Sequence, residues 1–208
     1  EATETIGRYQ VRNEPGRGGF GVVWRADDPK LGREVAVKQL DTTLRNNEEL
    51  RRRFVQEARV SARLEHPGVV PVHDLGNVNS NSPYYTMKFV QGQTLAEAIV
   101  EFHQTEDSSG QRSVERLRLL NAFLSVVKTM EYAHAQGVVH RDLKPQNIIL
   151  GEYGETVILD WGLAKLLGDD EDLPMDSTIR TALSDSERTQ QGTIQGTPAY
   201  MSPEQAAG

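Results

Sequence analysis

The fold class that the sequence predicts is α+β, with strands and helices concentrated in different parts of the chain. Short segments with alternating or β-branched apolar residues fall mainly before residue 90, at residues 8–29, 34–40, 69–75 and 84–90. A helical stripe interrupts them at residues 46–64. Helical spacing returns at residues 95–102, where Thr94 is the expected N-cap, and at residues 114–136. The near-continuous apolarity of this last segment predicts a buried core helix that contains Leu117, Leu120, Leu124, Val127 and Met130. The 208 residues could form one large domain or two small lobes, and they suffice to bury a sizeable core.

The composition limits the classes of partner. The chain has 30 acidic and 23 basic residues, a net charge of −7, which argues against nucleic acid or an anionic membrane surface as the main partner. It has no cysteine, which suits a reducing compartment, and no apolar run approaches the roughly 20 residues of a membrane helix. These features lead us to expect a cytoplasmic protein. The first residue is Glu rather than Met, so the chain could also be the cytosolic part of a longer, membrane-anchored protein.

The first strands enclose a glycine cluster, after a lead-in at residues 1–7 that we expect to be frayed. The cluster fits G-x-G-x-x-G and consists of Gly16, Gly18, Gly19, Phe20 and Gly21 around Arg17. A dinucleotide-binding turn would open a helix, whereas Val22-Val23-Trp24 continues as a strand. Glycines between strands let backbone N–H groups approach a phosphate, although a merely tight hairpin is the alternative.

Two opposite charges fall on faces that should be dry. In the strand at residues 34–40, Lys38 shares a face with Ala36 and Leu40. In the following helix, Glu57 lies within a stripe made by Leu50, Phe54, Ser61 and Leu64. Leaving either charge buried alone would cost on the order of 3–5 kcal/mol, so we expect them to pair. The alternative is that Lys38 extends to water and Glu57 lies at the edge of the stripe.

The segments 148–150 and 157–159 read as two short buried strands around a glycine-bearing turn. If they pair as an antiparallel hairpin, Leu150 faces Val157 and Ile148 faces Leu159. Asn147 and Asp160 then lie side by side, roughly 5 Å apart at the backbone.

An amide and a carboxylate oxygen converging at this point suit Mg²⁺, which takes one or two protein ligands and completes its shell with water and phosphate. Asp142 and Lys144 lie on the loop that precedes Asn147. This combination predicts a phosphoryl-transfer centre rather than an ordinary polar loop.

His140–Asn147, HRDLKPQN, resembles the catalytic loop of protein kinases, and Asp160-Trp161-Gly162 resembles their DFG triplet with Trp in place of Phe. Val35-Ala36-Val37-Lys38 resembles VAIK, and residues 196–204 resemble the end of the activation segment. Lys144, two residues after Asp142, is typical of the Ser/Thr branch. The resemblance, strongest to bacterial eukaryotic-like (Hanks-type) kinases, implies a bilobal kinase-like fold. It divides the chain into a lead-in (1–7), an N-lobe with an antiparallel sheet and one helix (8–88) and an incomplete helical C-lobe (89–208).

The resemblance also implies the roles of individual residues. Asp142 would accept the proton of the substrate hydroxyl, Lys144 would steady the γ-phosphate, and Lys38 would pair with Glu57. Asn147 and Asp160 would hold Mg²⁺, with Mn²⁺ as a second candidate metal. The residues implied to bind ATP are Gly16, Gly18, Gly19, Phe20, Gly21, Val23, Ala36, Lys38, Met87, Lys88, Val90 and Ile149. One departure from the pattern is Pro15, where the family usually has Leu.

The segment after Gly162 is rich in acidic and hydroxyl residues and has no hydrophobic period, so we expect a mobile activation loop. Thr189 and Thr193 lie where a phosphate could reach Arg141, and Thr197 belongs to the same regulatory set. Ordinary threonines in a flexible loop are the alternative. The resemblance further suggests a dimer for autophosphorylation.

The resemblance covers residues 8–204 and stops before the remaining helices of the larger lobe. We therefore expect exposed apolar surface, and the chain alone could be inactive. The function it implies is Mg-dependent transfer of the ATP γ-phosphoryl to Ser or Thr of a protein substrate. The alternatives are a pseudokinase or nucleotide-binding interaction module, favoured by Trp161 and Pro15, and a small-molecule phosphotransferase.

Overall fold

The computed structural model describes residues 4–18, 21–79, 82–104, 110–166 and 196–207. The strands in these ranges are β1 (Thr5–Ile6), β2 (Tyr9–Gly18), β3 (Gly21–Asp28), β4 (Arg33–Leu40), β5 (Val72–Asn77), β6 (Pro83–Lys88), β7 (Gly92–Thr94), β8 (Val138–Val139), β9 (Ile148–Gly151), β10 (Thr156–Ile158) and β11 (Lys165–Leu166). The helices are α1 (Glu48–Arg63), α2 (Leu95–Gln104), α3 (Gln111–Ala135) and α4 (Pro203–Ala207), with 3₁₀ turns at Pro145–Asn147 and Pro198–Tyr200. The α+β prediction is confirmed. None of the helices in these ranges combines the length and the apolar character needed to cross a membrane.

The first six strands form one antiparallel sheet in the order β1-β2-β3-β4-β6-β5. The sheet is curled, so that the start of β2 lies close to β5 at the far edge. Arg8 Nη1 and the Tyr9 hydroxyl both donate to Asp74 Oδ2 on β5, each at 3.0 Å. The prediction of a frayed lead-in is wrong at residues 5–6. These residues pair with β2, and Ile6 is 3% exposed because its side chain packs inside the curl.

Helix α1 lies against one face of this sheet. It begins where the Asn47 side chain accepts a hydrogen bond from the Leu50 N–H, at 3.1 Å, and two glutamates follow in its first turn. Its buried face contains Leu50, Phe54, Glu57 and Ser61, as the helical spacing predicted. Phe54 packs with Leu40 of β4 and Tyr85 of β6. The helix is therefore fixed against the strands that carry Lys38.

Helix α2 begins with a reciprocal cap. The Thr94 hydroxyl accepts from the Glu97 N–H at 3.1 Å, and the Glu97 carboxylate accepts from the Thr94 N–H at 2.7 Å. Thr94 is therefore the N-cap residue that the sequence predicted. The same residue ends β7, which pairs with β9, so the cap ties this helix to the small sheet β10-β9-β7.

Helix α3 forms where the spacing predicted it, but it buries a different face. We expected its large apolar residues to be buried, yet four of them are between 46% and 59% exposed: Leu117, Leu120, Leu124 and Val127. The face against the core is made instead of smaller residues: Ala122, Val126, Thr129 and Ala133. Small side chains allow close approach. A Cβ on Gly68 would lie 2.0 Å from Thr129 Oγ1. The exposed stripe agrees with the expectation of uncovered apolar surface.

The hairpin β9–β10 also forms, with a register one residue away from the prediction. Leu150 faces Thr156 rather than Val157, and Ile148 faces Ile158 rather than Leu159. The reason is the loop, which is one residue shorter than the predicted pairing required.

This loop has three residues and returns through a left-handed glycine. The Gly151 N–H donates to the Glu155 carbonyl at 2.8 Å, and Gly154 has φ +88°. A turn followed by a left-handed residue is a common way to close three-residue hairpins. Beyond the open end, the Leu159 N–H donates to the Asn147 carbonyl at 2.8 Å. Asn147 is thus opposite Leu159, and Asp160 is the next residue along.

A core cluster crosses the predicted boundary at residues 88–89. Val60 of α1 and Leu64, which caps this helix, pack in the same cluster as Val126 of α3, Ile158 of β10 and Trp161. The C-terminal part of α1 is therefore anchored on the helical part of the chain, while its middle faces the large sheet.

Candidate active site

Lys38 and Glu57 form a buried ion pair between β4 and α1. Lys38 Nζ lies 2.5 Å from Glu57 Oε1, and the two residues are only 5% and 4% exposed. Burial alone would lower the pKa of Lys38, but the nearby carboxylates of Glu57 and Asp160 outweigh it and hold this pKa well above its ordinary value. Lys38 therefore remains an ammonium group, as its pairing requires. This contact confirms the predicted pair.

Asp160 brings a second carboxylate to the same ammonium group. Its Oδ1 lies 3.7 Å from Lys38 Nζ, and the positive charge of Lys38 lowers the pKa of Asp160. The backbone at Asp160 is left-handed, with φ +60°, a conformation that Asp tolerates better than most residues. Gly162, two residues later, has little room for a side chain, because a Cβ there would lie 3.2 Å from both Asp160 Oδ1 and Glu57 Oε2.

The His140 side chain holds the backbone of the loop that carries Asp142. Its Nδ1 accepts from the Asp142 N–H and its Nε2 faces the Leu159 carbonyl, both at 3.2 Å, so the neutral ring with a proton on Nε2 satisfies both contacts. The ring packs on Trp161, with 4.6 Å between ring centroids, and burial lowers the pKa of His140. His140 thus links the backbone of the Asp142 loop to Leu159 and Trp161.

Two side chains of the His140–Asn147 loop form a closed triangle with Thr197. Lys144 Nζ lies 2.9 Å from Asp142 Oδ2, and the Thr197 hydroxyl donates to Asp142 Oδ1 at 2.7 Å. Lys144 Nζ also donates to Thr197 Oγ1 at 2.9 Å. The structure therefore places Thr197, which we had grouped with the regulatory residues, directly on the carboxylate of Asp142. The Thr197 hydroxyl lies between the Asp142 carboxylate and the Lys144 ammonium group, so its position shows where the hydroxyl of a substrate could lie.

Asn147 is held beside this triangle. Its Nδ2 donates to the Asp142 carbonyl at 2.9 Å, so Oδ1 is the side-chain atom that could bind a metal. Oδ1 and the ionised Asp160 carboxylate are the hard oxygen donors that Mg²⁺ prefers. Across the described ranges there is no group of three or more His, Asp or Glu residues that could hold a metal. The donor set therefore fits a cation that takes most of its ligands from a phosphate and water.

The glycine loop joins β2 to β3, with Gly18 paired opposite Gly21. A side chain at Gly21 is excluded, because a Cβ there would lie 2.7 Å from the Gln39 carbonyl oxygen. At Gly16, by contrast, a Cβ would meet nothing within 4 Å. Gly19 and Phe20 lie outside the described residues.

The register of the large sheet shows which of the other residues predicted to bind ATP are neighbours on adjacent strands. Val23 of β3 pairs with Lys38, and Ala36, two residues before Lys38 on β4, pairs with Met87 of β6. The Lys88 N–H donates to the Pro71 carbonyl at 3.0 Å, so this amide is not available to a nucleotide. Val90 follows β6 and Ile149 lies on β9, and both are partly exposed.

Arg141 adopts an uncommon backbone conformation next to Asp142. Its φ is +66°, and its carbonyl accepts from Gln205 Nε2 of α4 at 2.5 Å. Thr189 and Thr193, the residues predicted to contact Arg141 when phosphorylated, lie outside the described residues.

Sequence reasoning missed two residues. Gln205 carries no local signal, but Tyr85 could have been found. It lies two residues before Met87 on β6, so the period of the strand places it on the sheet face that Lys38 occupies. Its hydroxyl donates to Glu57 at 2.7 Å.

The curled sheet, the buried Lys38–Glu57 pair and the Asp142 loop beside Asp160 define the class: phosphotransferases built like protein kinases. The profile of the protein kinase domain matches residues 9–207, so the chain belongs to the protein kinase family. This confirms the family predicted from the sequence.

Curated relatives are serine/threonine-protein kinases. The chain is 42% identical over 205 residues to serine/threonine-protein kinase PknD of Chlamydia pneumoniae, covering 97% of this chain and 22% of that protein. It is 36% identical over 205 residues to PknD of Protochlamydia amoebophila, covering 96% and 21%, and 42% identical over 206 residues to PknD of Chlamydia caviae, covering 97% and 22%. The chain therefore spans about a fifth of the length of these relatives.

Proposed function

We propose that this chain is the catalytic part of a serine/threonine protein kinase that transfers the γ-phosphoryl group of ATP to Ser or Thr of a protein substrate, with Mg²⁺. The observation that carries the proposal is the Asp142–Lys144–Thr197 triangle, in which a threonine hydroxyl already donates to the carboxylate that would take up a proton. The relatives, which are serine/threonine-protein kinases by name, support the same substrate class.

In the proposed reaction, the oxygen of the substrate hydroxyl attacks the γ-phosphorus as the bond from that phosphorus to the β,γ-bridging oxygen breaks. ADP leaves with the electrons of the broken bond, and the hydroxyl proton passes to Asp142. Lys144, 2.9 Å from Asp142, is placed to neutralise charge on the transferred group. Lys38, held by Glu57, would contact the phosphates of ATP.

Asn147 and Asp160 are the residues that would hold the divalent cation. When bound, such a cation neutralises the negative charge of the phosphates. The role of the chain is to present the two oxygen donors: Nδ2 of Asn147 is engaged by the Asp142 carbonyl, and Asp160 is kept ionised by Lys38. Mn²⁺ has the same ligand preference and is a second candidate.

For the nucleotide we propose the glycine loop over the phosphates and the strand residues Val23, Ala36 and Met87 with Val90 and Ile149 around the base. Support comes from the pairing of Ala36 with Met87, which puts a small side chain next to the strand that leads to Val90. Activation by phosphorylation of Thr189 or Thr193, pairing of that phosphate with Arg141, dimerisation for autophosphorylation and a cytosolic position within a longer protein remain proposals that rest on the family resemblance.

The test is transfer of radiolabel from ATP by the full-length protein, with Asp142→Asn as the variant. Asn keeps the shape of the side chain and removes the base, so we expect labelling to fall by at least about 100-fold. Asp27→Asn, a carboxylate on β3 paired with the exposed Arg12, is the matched control and should label normally.

Phosphoamino-acid analysis then identifies the acceptor, and titration with Mg²⁺ and Mn²⁺ identifies the metal. Undiminished labelling in Asp142→Asn would remove Asp142 as the base. Nucleotide binding without transfer in the unmutated protein would favour the interaction module instead.

A further inference from the structure

Tyr85 lies beside the Lys38–Glu57 pair without belonging to the residues assigned above. Its Cα is the cross-strand partner of the Lys38 Cα, on adjacent strands β6 and β4. Cross-strand partners project to the same face of a sheet, so both side chains point toward helix α1. Tyr85 is 3% exposed, which means that its hydroxyl needs a partner within the protein.

That partner is the glutamate of the pair. The Tyr85 hydroxyl donates to Glu57 Oε1 at 2.7 Å, the same oxygen that Lys38 Nζ approaches at 2.5 Å. One carboxylate oxygen therefore has two donors, one charged and one neutral. Hydrogen bonds to an ionised acceptor are stronger than those between neutral groups.

Tyr85 also holds α1 one turn earlier. Its ring packs on Phe54, with 5.3 Å between ring centroids, and Phe54 precedes Glu57 by three residues on the same face of α1. Tyr85 thus contacts α1 at two residues about one turn apart: its ring contacts Phe54 and its hydroxyl contacts Glu57. The ring fixes the height of the helix over the sheet, and the hydroxyl fixes the direction of the Glu57 side chain.

The two donors to Glu57 differ in their other partners. Lys38 Nζ also faces Asp160 Oδ1, at 3.7 Å, and in the proposed function it contacts the ATP phosphates as well. These anions compete with Glu57 for the ammonium group. The Tyr85 hydroxyl is neutral and belongs to a buried residue, and the hydrogen bond described for it is to Glu57.

We propose that Tyr85 is a positioning residue that holds Glu57, and with it helix α1, in the paired orientation while Lys38 engages the nucleotide. The inference rests on the proposed kinase function and adds to it a residue that acts through Glu57 without touching the substrate. The hydroxyl, rather than the ring, is the part of Tyr85 that carries this role.

The test is steady-state kinetics of the full-length protein with Tyr85→Phe, which keeps the ring and removes the hydroxyl. We expect kcat/KM for ATP to fall about 10-fold, the lower end of what a hydrogen bond to a charged group contributes. The matched control is Tyr84→Phe, one residue earlier on β6. Its buried ring packs edge-on against Tyr9 inside the curl of the sheet, and we expect this variant to match the unmutated protein.

A double-mutant cycle separates positioning from general weakening of the fold. In a Glu57→Met background, which has no oxygen to accept from the Tyr85 hydroxyl, Tyr85→Phe should cause less than about a twofold further loss, because the contact through which Tyr85 acts has already been removed. A purely structural tyrosine would cause the same factor in both backgrounds.

The pH profile gives a second readout. The groups that face the Glu57 carboxylate are Lys38 from β4, Tyr85 from β6 and Asp160 from the segment after β10. Burial raises the pKa of Glu57, and hydrogen bonds from Lys38 and Tyr85 oppose that rise. Loss of the Tyr85 hydroxyl should therefore move the acid limb of kcat/KM to higher pH, whereas a general loss of stability would leave the limb in place.

The proposal is overturned if Tyr85→Phe behaves like Tyr84→Phe, or if its effect is the same with Glu57→Met. Absence of phosphoryl transfer in the unmutated protein would count against the proposed function instead. The same cycle on the thermal midpoint then decides about Tyr85, because coupling to Glu57 is expected there with or without catalysis.

Discussion

Replacing Lys38 with Met would isolate the electrostatic contribution of the buried pair. Met has nearly the length of Lys and no charge, so packing between β4 and α1 is largely kept. Glu57, 4% exposed, would remain with one donor, the Tyr85 hydroxyl, and without a compensating positive charge. Breaking a buried pair by removing one partner typically costs about 3–5 kcal/mol.

The structure places the expected loss at the lower end of this range, about 3 kcal/mol. Tyr85 still donates to Glu57, and the Asp160 side chain, 35% exposed, retains part of its hydration when Lys38 is lost. For a domain of about 200 residues, this corresponds to a thermal midpoint lowered by roughly 6–12 °C. Thermal unfolding of the full-length protein, followed through the transition of this domain, measures it.

The control is the double variant Lys38→Met with Glu57→Leu. Replacing both charges by apolar groups removes the uncompensated carboxylate, so we expect at least half of the lost stability to return. Phosphoryl transfer should be absent in both variants, since neither retains Lys38. A single variant less than about 2 °C below the unmutated protein, or a double variant less stable than the single one, would refute the view that this pair is desolvated and mutually dependent.

Two further predictions concern neighbours of Asp142. Thr197→Val removes the hydroxyl between Asp142 and Lys144 and should lower kcat about 10-fold, whereas Thr197→Ser should retain most of the activity. Single-turnover assays measure both variants, and equal losses would mean that Thr197 acts through packing instead. Burial lowers the pKa of His140 below its ordinary value of 6.5, so its contribution to stability is complete above pH 6.5 and is lost as the pH falls toward the lowered pKa. Between about pH 7.5 and 5.5, the thermal midpoint should therefore fall more steeply in the unmutated protein than in His140→Phe, and parallel curves would contradict this.

The Lys38–Glu57 pair could be predicted from the sequence because each charge interrupts a regular apolar pattern. The period of a strand and the period of a helix assign each residue to a face, and an unpaired charge on a buried face is too unfavourable to persist. This argument needs no knowledge of loops or distant contacts. It extends to Tyr85, whose position follows from strand register once β4 and β6 are known to be neighbours.

The register of β9–β10 could not be predicted in the same way. The segments 148–150 and 157–159 are apolar throughout, so a shift of the pairing by one residue still joins apolar residues, and the length of the loop decides the register. The left-handed Gly154 permits the shorter loop. The two glycines of this turn were visible in the sequence, but their backbone angles were not.

The buried face of α3 was also beyond the sequence pattern. Large apolar residues recur around this helix, and periodicity alone favoured the face that contains Leu117 and Leu124. The helix buries its narrower face because Gly68 brings a loop against Thr129, a contact that a large side chain would prevent. Close approach between distant segments depends on the tertiary arrangement and leaves no mark on the spacing within one helix.

The left-handed backbone at Arg141 has a consequence for the order in which the site assembles. A non-glycine residue in this conformation costs of order 1 kcal/mol, so the peptide before Asp142 stays turned only while its surroundings oppose its relaxation. Gln205 does so from α4, more than 60 positions further along the chain, by its hydrogen bond to the Arg141 carbonyl. A residue that follows the activation segment thus holds the peptide that precedes Asp142, and we expect the Asp142 carboxylate to reach its final orientation only once α4 has docked.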